Sequence, residues 1–242
     1  RDRMKTYILR FVAVTMAIVT LFTVAWAATL LDDFERPNSS YLGPDWVEQA
    51  GDWQIVDGEA VNPAPGIALM TYVGGSGNAI SADITHPGGA GTTCYAALVL
   101  GYADQNNNLF VKVQDNGGTG AFNRAYFYTD NGYGSWPVSG DAFVNITACT
   151  AARISLTLSG LDAILEIDRD FDGVADETHQ STGAVAKVAA LGTGIGVAAN
   201  FGVQIDDFST GTGLPDVVPE SSTLALMLLA LVAGVVTVHR RS

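Results

Sequence analysis

The chain has 242 residues, 48% of them hydrophobic, and its twelve Lys and Arg against twenty-five Asp and Glu leave a formal net charge of −13. An acidic surface of this kind repels phosphate backbones, which excludes nucleic acid as a partner. The two cysteines, Cys94 and Cys149, have no second Cys or His at ligand spacing, which excludes a zinc cluster.

Residues 1–27 read as a signal peptide. Met4 stands as the start, Lys5 and Arg10 supply a positive region, Phe11 to Val24 are apolar, and Ala25-Trp26-Ala27 has the A-x-A form of a cleavage site. The alternative is the same run retained as a membrane anchor; the small residues at both cleavage positions favour removal and hence export. Residues 28–210 then form one domain, 211–217 a linker and 218–242 a C-terminal signal. From residue 28 to 217, six basic residues face twenty-three acidic ones, a net charge of −17.

The domain shows no helical periodicity. Short alternating apolar runs separated by Gly, Asn and Asp predict an all-β sandwich. Asp52 to Val56, then Asp57-Gly58, then Glu59 to Val61 make a tight hairpin. Cys94 to Leu100 and Leu109 to Val113 flank a second turn at residues 104–108. Ala125 to Tyr128 is a strand within a loop-rich stretch from Asn116 to Ser139. Arg153 to Leu158 alternates with Ile154, Leu156 and Leu158 on one face, and Ala163 to Ile167 follows after Ser159-Gly160. Gly194 to Ala199 and Val203 to Phe208 close the domain. Trp46 and Trp53 belong to the core. In an exported chain Cys94 and Cys149 read as a disulfide, which would stabilise by about 4 kcal/mol in the chain-entropy model; the alternative is two buried thiols.

Asp168-Arg169-Asp170-Phe171-Asp172-Gly173-Val174-Ala175-Asp176-Glu177 carries the strongest chemical signal. Carboxylates at alternate positions of a curling loop converge on one point, and Ca2+ takes six to eight hard oxygen ligands. The expected ligands are Asp168, Asp170, Asp172, the Val174 carbonyl, and Asp176 or Glu177, with Gly173 permitting the turn. The twelfth position, where a bidentate Glu would complete an EF-hand loop, is His179. The loop resembles those of thrombospondin type-3 repeats and EF-hand-like bacterial modules. The alternative is an ordinary Asp-Gly hairpin turn with solvated acids, although five acids within ten residues repel one another without a cation. Asp33 and Asp207, if the terminal strands adjoin, form a second and weaker cation candidate.

Tyr126, Tyr128, Tyr133 and Trp136, with Asn123 and Asn131 beside them, form a candidate sugar platform of flat rings and amides. Tyr126 and Tyr128 share one strand face, which would serve a core as well.

Val218-Pro219-Glu220-Ser221, the apolar run 223–238 and Arg240-Arg241 form a three-part tail that resembles the PEP-CTERM sorting signal of Gram-negative bacteria. The family motif is Pro-Glu-Pro, and here Ser221 replaces the second proline. The resemblance implies an exosortase-type processing partner, transient membrane anchorage through 223–238, and a place at the cell surface or in extracellular polysaccharide. Asp32-Asp33-Phe34 near the start is echoed by Asp206-Asp207-Phe208 at the end. With Arg36-Pro37, Leu42-Gly43, Trp46 and the Trp53 hairpin, these residues resemble concanavalin A-like (laminin-G-like) domains. That implies a two-sheet jelly roll with adjacent terminal strands, often binding glycans and often carrying calcium, and does not imply an enzyme. The same fold class includes β-glucanases with an E-x-D-x-E strand, which Glu166, Asp168 and Asp170 imitate, so a glycoside hydrolase is the alternative. Asp172-Gly173 follows at once, placing these residues at a turn. His86 and His179 have no nucleophile motif beside them.

Overall fold

The computed structural model of the chain describes residues 29–89, 91–129 and 143–211. The signal-peptide segment, Tyr133, Trp136, the Val218–Ser221 motif and the apolar run 223–238 lie outside the described residues. Among the described residues no helix is long and apolar enough to cross a membrane.

The strands are β1 (Thr29–Asp32), β2 (Trp46–Ala50), β3 (Gln54–Val56), β4 (Glu59–Val61), β5 (Ala68–Tyr72), β6 (Ala79–Thr85), β7 (Tyr95–Asp104), β8 (Asn107–Gln114), β9 (Phe122–Tyr128), β10 (Val144–Cys149), β11 (Ala151–Ser159), β12 (Asp162–Asp168), β13 (Glu177–Ser181), β14 (Gly194–Ala199) and β15 (Gln204–Thr210). They form two antiparallel sheets. Sheet A runs β13-β12-β11-β6-β15-β4-β3 with β1 also on β15; sheet B runs β10-β9-β8-β7-β14-β5-β2. The result is the expected all-β two-sheet sandwich, matching a jelly roll.

The predicted hairpins form, the second with a tighter turn than expected, since Asp104 pairs with Asn107. Asp57 (φ 54°) and Gly58 (φ 87°) are both left-handed, the geometry a two-residue turn needs to match strand twist. Ile154 and Leu156 of β11 meet Leu98 and Val111 of sheet B in the inter-sheet core, which also buries Trp46, Trp53, Phe34 and Phe208. Leu158 is only half-buried beside it. The terminal strands do adjoin, with Asp32 opposite Phe208.

The expected disulfide does not form. Cys94 and Cys149 are free thiols. Cys94 immediately precedes β7 and Cys149 ends β10, and β8 and β9 lie between those strands. Three strand spacings are about 14 Å, twice the Cα separation a disulfide tolerates. Burial pushes both thiols up to about 11, so they behave as apolar residues. Of the second cation candidate, Asp33 accepts the Glu35 amide at 3.1 Å and Asp207 lies 3.6 Å from Arg153.

Asp206 on β15 stands directly opposite Asp83 on β6. Burial, followed by the neighbouring Asp207, Asp83 and Glu35, pushes its carboxyl up to about 6. A carboxyl whose folded pKa is raised costs stability as pH climbs from its unfolded value towards 6. Asp206→Asn should therefore raise the melting temperature at pH 7 by about 2–4 °C, taking roughly 1 kcal/mol after solvent screening. The gain should vanish below pH 4, where both states are protonated; thermal melts at the two pH values check this.

Candidate functional site

The acidic loop is built by the end of β12. Alternation sends Ala163, Leu165 and Ile167 into the core and leaves Asp168 on the outer face of sheet A. Asp168 is nonetheless 0% exposed, because residues 169–176 curl back over it: the Asp176 amide donates to the Ile167 carbonyl at 2.8 Å, and the Gly173 amide donates to Asp168 Oδ2 at 3.0 Å. Gly173 (φ 86°) and Phe171 (φ 59°) both adopt left-handed backbone to make that curl. Arg153, opposite Asp168 across the strands, is held at 2.6 and 2.8 Å by Asp83.

Asp168, Asp170 and Asp176 each bring a carboxylate oxygen to within 4.8 Å of the other two. Asp168 Oδ1 is buried and accepts no hydrogen bond. A sealed carboxylate with one unpartnered oxygen, close to two further carboxylates, is costly in a bare protein and suits a hard cation. Burial and the neighbouring Asp172 also push Asp170 upward. The donor set, all hard oxygen, fits Ca2+.

Of the five expected carboxylates, the structure brings those three together. Asp172 Oδ1 accepts the Val174 amide at 2.8 Å, closing its own turn, and does not join the cluster. Glu177 begins β13 and points away, where it accepts the Thr147 amide at 2.9 Å, pairs with Arg169 and faces His179 at 3.2 Å. Burial opposes its charge, but the hydrogen bonds from Thr147, Arg169 and His179 bring Glu177 down to about 2. The Val174 side chain is exposed.

A two-carboxylate hydrolase needs its acids facing a cleft. Asp168 is sealed beneath its own loop, and Glu166 lies in mid-strand opposite Ser155 and Thr178. His86 and Asp115 do form a buried pair at 3.2 Å, but the other His86 ring nitrogen accepts the Gly88 amide at 3.0 Å. With both ring nitrogens engaged, the imidazole has none left to activate a nucleophile.

The second candidate lies on the opposite side of the molecule. Tyr126 and Tyr128 are not inter-sheet core residues; they stand half-buried on the outer face of sheet B, with ring centroids 5.9 Å apart and planes 10° apart. Beside them an apolar cluster that includes Tyr95, Ala97, Val99 and Phe110 covers the same face. Asn123 is not available as a ligand: its side chain accepts the Asn116 amide at 2.9 Å and donates to the Asn116 carbonyl at 3.2 Å. Sequence reasoning passed over Lys112, which lies among these rings. Its signal is a lysine in an outward slot of the otherwise apolar run Leu109 to Val113.

No protein-family model matches the chain, and no curated protein matches it by sequence. Among solved structures it is similar to a GH43 protein, BlXynB, from Bacillus licheniformis, with 12% identity over 75% of this chain and 39% of that one, at a TM-score of 0.51. It is similar to the carbohydrate-binding module CBM66 from Bacillus subtilis, with 14% identity over 68% of this chain and 93% of that module, at 0.44. The exoplasmic/lumenal domain of VIP36, in a form bound to Ca2+ and Man2, aligns at 13% identity over 80% and 90% of the two chains, at 0.49. At such identities the likeness is one of fold, an all-β two-sheet jelly-roll sandwich.

Proposed function

We propose that the chain is an exported, calcium-stabilised glycan-binding sandwich that acts at the cell surface or in extracellular polysaccharide and does not cleave its ligand. The observation that carries the reading is the parallel Tyr126–Tyr128 pair on the outer face of sheet B. Two parallel rings on one sheet face offer sugar residues apolar surface to pack against. The resemblance of the opening residues to concanavalin A-like domains supports it, and the sealed position of Asp168 supports binding over hydrolysis. The orphaned Asp168 Oδ1 supports Ca2+ as a structural ion, held by Asp168, Asp170 and Asp176. The terminal segments support export and processing by an exosortase-type partner through Val218–Ser221 and the run 223–238.

Native electrophoresis through gels containing neutral and acidic polysaccharides tests the reading. At least one polysaccharide should retard the protein, and Tyr126→Ala with Tyr128→Ala should weaken the retardation about tenfold or more while the fold persists. No retardation by any polysaccharide would overturn it.

A further inference from the structure

The outer faces of β7, β8 and β9 form a grid. Tyr95, Gln114 and Arg124 stand abreast in one row, and Ala97, Lys112 and Tyr126 in the next. The Lys112 ammonium lies 5.1 Å from the ring centre of Tyr95, 4.8 Å from that of Tyr126 and 5.2 Å from that of Tyr128. Arg124, its diagonal neighbour at about 7 Å across the strands, stacks its guanidinium 3.9 Å above Phe143. Among the described residues no carboxylate lies within ion-pairing distance of either group, whereas Arg36, Arg153 and Arg169 each hold one.

Burial alone pushes Lys112 down to about 8. Aromatic faces return only part of an ammonium's lost hydration, about 2 kcal/mol at best, so among the described residues the Lys112 charge is not fully compensated. The domain has twenty-three carboxylates between residues 28 and 217, yet among the described residues none pairs with either cation of this face.

Resting on the glycan-binding reading, we propose that the β7–β9 face selects an anionic glycan, specifically a uronate polysaccharide. A sugar ring stacks on Tyr126 and Tyr128, and its carboxylate lies against Lys112 and Arg124. One charge per ring matches two cations one strand apart, while a densely sulfated polymer meets the acidic field of the rest of the domain. Arg124 offers the carboxylate a planar fork, and Lys112 a point charge.

The test is calorimetric titration of the full chain with a galacturonate oligomer, its carboxyl-reduced neutral counterpart and a sulfated dextran. The wild type should bind the galacturonate, more weakly as salt rises, and bind the neutral oligomer about tenfold less tightly. Lys112→Met should abolish that preference without lowering the melting temperature, since a thioether fits the ring cage without an uncompensated charge. Lys112→Arg should retain it. Equal binding of the charged and reduced oligomers would overturn the uronate assignment and leave glycan binding standing. Binding of the sulfated polymer alone, or an unchanged preference in Lys112→Met, would also overturn it. Binding of none of the three, together with no retardation in the gels, would remove both readings.

Discussion

Calcium added to metal-free protein is expected to raise its melting temperature by roughly 5–10 °C, and Asp168→Asn is expected to cancel the rise. Calcium at a hundred times its dissociation constant stabilises by about 2.7 kcal/mol, and a domain of this size gains about 2–4 °C per kcal/mol. Asn keeps the shape of Asp168 and an acceptor for the Gly173 amide, whose bond to Oδ2 is 3.0 Å, but removes the charge. In chelator the variant should melt as high as the wild type or higher, because a buried carboxylate oxygen without a partner is gone. In calcium it should melt lower. That crossing separates a lost ligand from a generally damaged fold, which would melt lower in both conditions. Asp172→Asn, which alters a residue outside the convergent trio, should leave most of the calcium effect in place. Scanning fluorimetry with calcium and with chelator is sufficient. An unchanged wild-type melting temperature would return the loop to an ordinary turn.

The alternation of β11, β12 and β15 and the Asp57-Gly58 turn were legible because each has one buried face and a turn chemistry that admits few alternatives. Strand β13, Glu177–Ser181, was not, since it lies at the sheet edge and only Ser181 is buried. Strand β6 does alternate, with Ile80, Ala82 and Ile84 inward, but the polar Ser81 and Asp83 between them are residue types common in turns. At the acidic loop, spacing marked five carboxylates, of which the fold brings three together. Asp172 and Glu177 have the same chemistry as Asp170 and Asp176, and only the direction of the chain after Gly173 separates them. The cation-and-ring face depends on pairing Lys112 with Tyr126 across β8 and β9. Such pairing cannot be read from either strand alone.

The paired Asp-Asp-Phe segments show a related limit. They announced adjoining terminal strands, and the residue that matters there is Asp32. Its carboxylate accepts Arg36 at 2.7 and 2.9 Å, the Trp46 indole at 2.6 Å and the Phe34 amide at 2.8 Å. Arg36 in turn donates to the Leu42 carbonyl at 2.6 Å. This anchor fixes Phe34 in left-handed backbone (φ 50°), where it stacks on Trp46 at 5.5 Å while Phe208 packs on the same indole at 5.1 Å. One carboxylate thus joins β1, the first loop and β2, which belongs to the opposite sheet. Asp32→Ala leaves a guanidinium, an indole N–H and an amide without their acceptor, and should cost about 3–5 kcal/mol, or on the order of 10 °C in melting temperature at pH 7. Burial works against the Asp32 charge, but the Arg36, Trp46 and Phe34 hydrogen bonds hold its carboxyl below the ordinary 3.8. Stability from a depressed carboxyl is complete above the unfolded value and lost as pH falls through the folded one. The gap between wild type and variant should therefore be full at neutral pH and close progressively below pH 3.8. Thermal melts followed by circular dichroism from neutral to acid pH check both features. A gap that stayed constant into acid would mean that Asp32 acts through shape and not through charge. The absence of a gap at pH 7 would mean that the aromatic cluster holds the two sheets together without it.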